Sequence, residues 1–259
     1  MTLLIRVLGS PAVDEPKRPL TALQSRLLGL LVCERSGVVH PDVLADRLWL
    51  GFPPKTSASA LRMHITKVRD ALEDRTVIST EPGRGYSFRS DLVTLDCDVF
   101  VEAAATVDMC RRSGDHETAV AEADEALRLW RGAPYSGCDD QLNVAAERAR
   151  LDAVRADITL DRLASMLIIG RVREGLPELR ALAAKCPGDE RVAGLLMTTL
   201  AGIGATADAL QVFDTTERWL QREFGAPPSP ALEQTAASIA RRSAPRRVLQ
   251  SVDAGASVA

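Results

Sequence analysis

The stretch that decides the fold is residues 56–89, TSASALRMHITKVRDALEDRTVISTEPGRGYSFR. In its first half, apolar residues step by four, three and four positions, which is the spacing of one buried face of an amphipathic helix. These residues are Leu61, Ile65, Val68 and Leu72. In its second half, two short apolar runs flank Glu81-Pro-Gly-Arg-Gly85, which predicts a β-hairpin around a five-residue loop. The segment is therefore predicted to be a helix over about residues 56–74 followed by two strands.

The preceding residues predict two short strands and two further helices. The strands are Thr2–Leu8 and Ala12–Val13, and the first helix runs from about Thr21 to Arg35. The second helix begins at Pro41, a residue suited to the first helical turn. Strands, three helices and a terminal hairpin, in that order, are typical of a winged helix-turn-helix domain, which we place at residues 1–94.

Burying the apolar stripe of the third helix turns a polar face outward, and this face is a candidate DNA-binding surface. Lysine and arginine contact guanine edges or phosphates, threonine contacts either, and methionine can lie against a thymine methyl. Arg84, at the tip of the hairpin, is placed to reach an adjacent minor groove. A solvated helix face and a plain turn with an exposed arginine explain the same patterns, so both interpretations stay open. The outward residues of the helix are Ser59, Met63, Thr66, Lys67 and Asp70, and Arg62 lies on the flank.

Residues 95–242 predict an all-α domain built from helical repeats. Gly114, Gly170 and Gly204 are each followed by a small residue five positions later, and the last two lie 34 positions apart, the tetratricopeptide period. A generic helical bundle is the alternative. The connection at residues 89–96 is predicted to be short, polar and without core residues, and residues 243–259 are predicted to form a flexible tail.

Charge and motifs exclude several classes of function. The net charge of −3 combines about +4 on residues 1–90 with about −7 on the remainder, which favours an anion-binding module joined to something else. The five cysteines and three histidines lack metal-ligand spacing, and the acidic pair Asp139-Asp140 is better explained as a loop or helix cap. Catalytic motifs are missing as well. The sequence therefore predicts no enzyme, no metal and no cofactor.

The motifs of both halves resemble known families. Residues 61–72, LRMHITKVRDAL, with Thr80-x-x-Gly-x-Gly-Tyr86, resemble the recognition helix and wing of OmpR/PhoB-type winged helix domains. The second half resembles the bacterial transcriptional activator domain in Asp96-x-Asp-x-Phe100, Ala126-Leu-x-Leu-Trp-Arg-Gly-x-Pro134 and Phe224-Gly-x-x-Pro-Ser-Pro-Ala-Leu232. Over nearly all of residues 1–242, the chain thus resembles the Streptomyces antibiotic regulatory proteins (SARPs).

This resemblance implies which side chains lie near DNA. Lys67 matches a base-reading position. Thr66 and Pro82 stand where the family often has arginine, so Arg62 and Arg84 are the candidates to supply those contacts. The family positions near DNA correspond to His64, Thr66, Lys67 and Arg69.

The resemblance also implies a function. A SARP of this small, two-domain form would activate a secondary-metabolite (antibiotic) gene cluster by binding direct repeats near a promoter, where two copies could form a dimer on DNA. It would recruit RNA polymerase, including the sigma factor. The alternative is a ligand- or peptide-sensing regulator whose repeat domain is the main functional site. Since the sequence contains neither a membrane span nor a secretory signal, we expect a cytoplasmic protein without a membrane partner.

Overall fold

The computed structural model describes residues 3–14, 19–138 and 142–243, and it confirms the expected fold class. A winged helix region that contains the strands is followed by a helical repeat region. The chain divides into a first unit, residues 1–165, and a second unit, residues 166–259. Asp139-Asp140 and residues 244–259 of the expected tail lie outside the described residues.

The described residues form short strands near the amino terminus and longer helices after them. The strands are β1 (Leu3–Arg6), β2 (Ala12–Val13), β3 (Val38–Val39), β4 (Ile78–Glu81), β5 (Gly85–Phe88) and β6 (Val93–Leu95). The helices of the winged region are α1 (Ala22–Cys33), α2 (Pro41–Leu48) and α3 (Ser57–Leu72). The helices of the repeat region are α4 (Asp96–Ser113), α5 (His116–Arg128), α6 (Leu142–Ile168), α7 (Val172–Lys185), α8 (Glu190–Gly202), α9 (Thr206–Phe224) and α10 (Pro230–Ser243).

Two three-stranded sheets frame the winged region. In the first, β1 lies between β2, which is antiparallel to it, and β6, which is parallel to it. In the second, β5 lies between β3 and β4, and all three strands are antiparallel. The hairpin is tighter than expected, since only residues 82–84 separate β4 from β5. The sequence did not predict β3 or β6.

Local sequence signals fix the ends of the first helices. Thr21 and Gln24 form a reciprocal capping box at the start of α1, so two otherwise unpaired backbone N–H groups are satisfied. Pro41 occupies the first turn of α2, as expected. In α3 the buried residues are Leu61, Ile65, Val68, Ala71 and Leu72, which include the whole predicted stripe.

The connection after the wing belongs to the core, which the sequence interpretation got wrong. Val93 and Leu95 are buried on β6, and the carboxylate of Asp96 is buried against Val7 and Leu8, which follow β1. The side chains of Phe100 and Tyr135 join the same hydrophobic core as the winged region. The first unit therefore extends well past residue 94, and the functional division at residue 95 stays a prediction.

Left-handed glycines join consecutive helices, as the repeat pattern predicts. Gly114, Gly170 and Gly204 have φ values of +84°, +82° and +83°, and each lies between two helices. Glycine adopts this conformation without a steric penalty from Cβ. The small residues five positions later are buried; they are Ala119, Gly175 and Ala209.

Candidate nucleic-acid interface

Helix α3 presents a polar face opposite its core stripe. Leu61, Ile65 and Val68 are almost completely buried, so the rest of the helix surface is left to solvent. The side chains on that surface are Ser59, Arg62, Met63, Thr66 and Lys67, and all five are exposed. The periodicity of the sequence predicts this face, with Arg62 on its flank, and Asp70 is exposed as predicted too.

Two cations of this face are available to a ligand. Within residues 3–14, 19–138 and 142–243, neither Arg62 nor Lys67 takes part in a side-chain hydrogen bond or ion pair. The hydroxyl of Thr66, between them in sequence, donates to the carbonyl oxygen of Arg62 at 3.0 Å and can still accept a hydrogen bond. Ser59 is similar, since its Oγ donates to the carbonyl oxygen of Thr56 at 2.9 Å.

Arg84 occupies the tip of the wing. Its backbone N–H donates to the carbonyl oxygen of Glu81 at 3.0 Å, which closes the turn. Its guanidinium is exposed and has no partner among the residues that the structure describes. The hydrogen-bonded turn therefore fixes the backbone of Arg84, while its guanidinium stays available to a ligand.

Gly85 fixes the wing against the rest of the winged region. Its φ of +139° is a conformation that residues with a side chain rarely adopt. A Cβ at this position would lie 2.0 Å from the carbonyl oxygen of Val39, on β3. The strand β3 thus docks closely on the base of the wing, a contact that the sequence pattern gave no sign of.

Arg69 has a structural partner within the domain. Its Nε and Nη2 donate to the carbonyl oxygen of Ile78 at 2.9 and 2.6 Å, and Nη2 also donates to Oγ1 of Thr80 at 2.8 Å. Since Ile78 and Thr80 belong to β4, these bonds tie α3 to the wing. The family resemblance places Arg69 near DNA, and the structure shows it positioning the wing.

His64 lies on the flank of α3, half-buried against Trp49. Their ring centroids are 6.3 Å apart, and Nδ1 of His64 is buried without a partner in the described part of the chain. Burial lowers the pKa of His64, because a charged ring would lose its hydration there. A neutral, packed imidazole is suited to holding α3 against α2.

Acidic groups collect at the far end of α3. Asp70 pairs with Arg75 at 3.5 Å, and Glu73 ends the helix in the left-handed conformation at φ +57°. The carboxylate of Asp74 accepts hydrogen bonds from the hydroxyl and N–H of Thr76, and these bonds lower its pKa. A phosphate backbone would therefore be favoured along the earlier turns of α3 and repelled at its carboxyl end.

The loop between α2 and α3 exposes apolar side chains. Phe52 is 87% exposed, and Leu50 and Val43 are each more than two-fifths exposed. Exposed apolar side chains that lie close in sequence, as these do, are candidates for a protein contact. We call Val43, Leu50 and Phe52 the α2–α3 patch; sequence analysis did not identify it, although Phe52-Pro-Pro is an unusual loop composition.

Neither a metal cluster nor a membrane span is present in the described ranges. There, no three histidine, cysteine, aspartate or glutamate side chains come together in a way that could hold a metal ion. None of the described helices has the length and apolarity needed to cross a membrane.

Comparison with known families divides the chain in two. Residues 15–88 match the family described as "Transcriptional regulatory protein, C terminal". Residues 95–240 match the "Bacterial transcriptional activator domain". The first match contains the recognition helix and wing, and the second contains the helical repeats.

Individual relatives are regulatory proteins. Regulatory protein AfsR of Streptomyces griseus is 32% identical over 225 residues, which cover 84% of this chain and 22% of AfsR. Regulatory protein DnrI of Streptomyces peucetius is 29% identical over 233 residues, which cover 86% of this chain and 85% of DnrI. The chain thus spans about a fifth of the length of AfsR and most of DnrI.

A solved structure has the same fold. Mycobacterium tuberculosis EmbR, in complex with a low-affinity phosphopeptide, superposes with a TM-score of 0.80 and 23% identity. The match covers 93% of this chain and 65% of EmbR. At this level of identity the likeness establishes the arrangement of helices and strands alone.

Proposed function

The chain belongs to the SARP family of transcriptional regulators, and from this premise we propose that it is a DNA-binding activator that recruits RNA polymerase to a promoter. In this proposal α3 enters the major groove and the wing reaches the adjacent minor groove. The target genes would be a secondary-metabolite (antibiotic) cluster, which is the role that the family name implies.

The observation that carries this proposal is the set of free cations around α3. Lys67 on the outward face of α3 and Arg62 on its flank are exposed and lack partners within the described residues, so each can reach a base edge or phosphate. Many surface arginines of this chain are paired with acids, as Arg89 is with Asp91 at 2.8 Å. Arg62 and Lys67, which no acid neutralises within the described residues, are therefore available to contact base edges or phosphates.

Arg84 would contribute a different kind of contact. Its guanidinium extends from a rigid turn at the wing tip, where it can lie in or beside a minor groove. Contacts to phosphate and groove shape bind many sequences similarly, whereas contacts to base edges discriminate between them. We therefore assign affinity to Arg84, and sequence discrimination to Lys67 and Arg62.

The charge of the winged region favours binding in more than one copy. With about +4 over residues 1–90, one domain neutralises few phosphates, so a single copy would bind weakly. Two domains in the same orientation would occupy a direct repeat spaced by about one helical turn, roughly 10–11 base pairs. We propose such a tandem arrangement, in which two copies form a dimer on DNA.

The α2–α3 patch is our candidate surface for polymerase. Phe52 and Leu50 belong to the connection between α2 and α3, so in this proposal they lie near the DNA. Their apolar side chains are poorly suited to contact a charged phosphate backbone. A protein partner that occupies the promoter at the same time, such as RNA polymerase with its sigma factor, would explain their exposure.

The proposal is tested by gel-shift titration of the full chain with four single variants. Lys67→Ala and Arg62→Ala should each weaken specific binding by about 1–3 kcal/mol and relax discrimination between sites. Arg84→Ala should weaken binding to all sequences similarly and reduce the salt slope by about one unit. The control is Arg75→Ala, since Arg75 is exposed but paired with Asp70 at the acidic end of α3.

Two outcomes would contradict the assignment. If the first three variants bind as tightly as the unaltered protein, the helix and wing are not the interface. If Arg75→Ala weakens binding as much as Lys67→Ala, the effect is general electrostatics and not recognition.

Polymerase recruitment is tested separately with Phe52→Ser. This variant should bind the promoter with unchanged affinity and lose activation in transcription with purified polymerase. Equal activation by the variant and the unaltered protein would exclude the α2–α3 patch as the polymerase contact.

A further inference from the structure

The second unit contains a groove that DNA recognition does not use. Helices α7, α8 and α9 surround a cavity of about 410 Å³, which lies within the size range of small-molecule sites. Its base is apolar and its rim is charged. All of the residues that line it lie between positions 180 and 216, so the cavity is a property of the second unit by itself.

The base of the groove is formed mainly by α8. Ala193, Leu196 and Leu200 are buried on this helix and line the cavity, and Val212 of α9 extends the apolar surface. On the opposite wall, Ala183 and Ala184 of α7 have short side chains, and this leaves the space open. The groove therefore offers an apolar bed for a hydrocarbon or aromatic group.

The rim holds one charge of each sign on facing helices. Nη2 of Arg180, on α7, lies 3.7 Å from Oδ2 of Asp208, on α9, and the two side chains are 55% and 60% exposed. Such a long, exposed ion pair contributes little to stability. Both charges can therefore be redirected to a ligand at small cost.

A second acid that lines the groove, Asp189, already accepts hydrogen bonds from the backbone. Oδ1 of Asp189 accepts the N–H groups of Arg191 and Val192 and so caps the start of α8. Asp208 is thus the carboxylate that remains for a ligand cation. Gln211 and Thr215 follow Asp208 along the same face of α9, at helical spacing, and add an amide and a hydroxyl to the rim.

We propose that this groove binds a small zwitterion with a bulky apolar arm, of the chemical class of aromatic or branched α-amino acids. The ligand carboxylate would pair with Arg180, its ammonium group would pair with Asp208, and its apolar arm would lie on Leu196 and Leu200. A ligand with only one charge would leave Asp208 or Arg180 without its partner. Charge complementarity to both groups therefore selects the zwitterion, and the site is independent of the DNA-binding proposal.

Four matched probes test this specificity by calorimetric titration of the full chain. Phenylalanine carries both charges, phenethylamine carries the ammonium alone, and 3-phenylpropanoate carries the carboxylate alone. N-acetylphenylalaninamide carries neither charge and mimics the interior of a peptide. Phenylalanine is expected to bind at least about tenfold more tightly than each of the other three, because a charge-assisted hydrogen bond is lost with each charge removed.

Variants locate the site. Arg180→Gln and Asp208→Asn should each weaken phenylalanine binding about tenfold or more, whereas Arg173→Gln, an exposed arginine of α7 outside the groove, should not. Ala184→Trp should fill the groove and abolish binding. Its control is Ala181→Trp, on the same helix and exposed, but outside the lining.

Cys186 gives a readout that does not depend on heats of binding. It is an exposed cysteine that lines the groove, so its alkylation, followed by peptide mass mapping, should slow when phenylalanine occupies the site. By contrast, burial raises the pKa of Cys33 to about 11 and that of Cys97 to about 12, which leaves both thiols protonated and slow to react.

Three results would overturn the proposal. The first is the absence of both heat and protection at millimolar phenylalanine. The second is equal affinity for N-acetylphenylalaninamide, which would make the groove a peptide site. The third is unchanged binding by Arg180→Gln and Asp208→Asn, with both variants folded as judged by their thermal transitions.

Discussion

Asp96 joins the winged region to the first repeat helix, and its replacement by alanine should destabilise the first unit strongly. The residue is 1% exposed at the first position of α4. Its Oδ1 accepts the N–H of Val7 at 2.7 Å, and its Oδ2 accepts the N–H of Leu8 at 3.1 Å. Both donors belong to residues that are fully buried, so no solvent can replace the carboxylate at their present positions.

The expected size of the effect follows from these two bonds. A buried N–H group left without an acceptor costs about 1–3 kcal/mol, so two such groups cost about 2–6 kcal/mol. The favourable position of the carboxylate at the helix amino terminus adds about 0.3–1 kcal/mol. We expect Asp96→Ala to lower the free energy of unfolding by about 3–5 kcal/mol.

Asp96→Asn separates the hydrogen bonds from the charge. Burial raises the pKa of Asp96, and the N–H groups of Val7 and Leu8 oppose that rise. Asparagine keeps one oxygen acceptor and removes the charge that burial disfavours, so this variant should lose about 1–2 kcal/mol.

Urea unfolding followed by circular dichroism measures both variants, with Asp98→Ala as the matched control. Asp98 lies two positions later in the same motif, and its 2.9 Å pair with Arg35 is partly exposed, so its loss should cost less than about 1 kcal/mol. A loss in Asp96→Ala no larger than that in Asp98→Ala would refute the reasoning.

The wing, the recognition helix and the DNA site provide three further predictions. Gly85→Ala should destabilise the protein by about 3 kcal/mol or more in urea unfolding, because its Cβ would meet the carbonyl oxygen of Val39. The control, Gly83→Ala, has open space around its Cβ and should cost only about 1 kcal/mol. The folded state lowers the pKa of His64, so the stability from its neutral ring is present above the unfolded pKa and is lost as the pH falls through the folded pKa. The difference between the thermal midpoints measured at about pH 7 and about pH 5 should therefore be smaller in His64→Phe than in the unaltered protein. Inserting about five base pairs into a direct repeat should abolish cooperative binding in a gel-shift titration, and equal steepness on both spacings would exclude the tandem arrangement.

The helices of the winged region could be predicted from the sequence because their signals are local. Leu61, Ile65 and Val68 repeat at helical spacing within a few turns, and Pro41 marks the start of α2. The strands β3 and β6 have two and three residues, too few for any periodicity. Their existence depends on partners far away in the chain, which no local pattern reveals.

The sequence predicted which residues of α3 are exposed, but it did not predict the tertiary contacts of the residues beside them. Spacing alone places Lys67 on the outward face and Arg62 on its flank. Arg69 donates to the carbonyl oxygen of Ile78, on β4, and His64 packs near Trp49, the residue that follows α2. Family resemblance places Arg69 and His64 near DNA, which stays a prediction, and a comparison of positions does not reveal these tertiary partners.

The parallel pairing of β1 with β6 sets an order of events during synthesis on the ribosome. Leu3 pairs with Val93, so about 90 residues must be made before the strand finds its partner. At about 5–20 residues per second, this delay is roughly 5–18 s. Until then β1 has only β2 beside it, and an isolated two-stranded ribbon is marginally stable in water. The amino terminus, although translated first, is therefore among the last parts of the winged region to be secured.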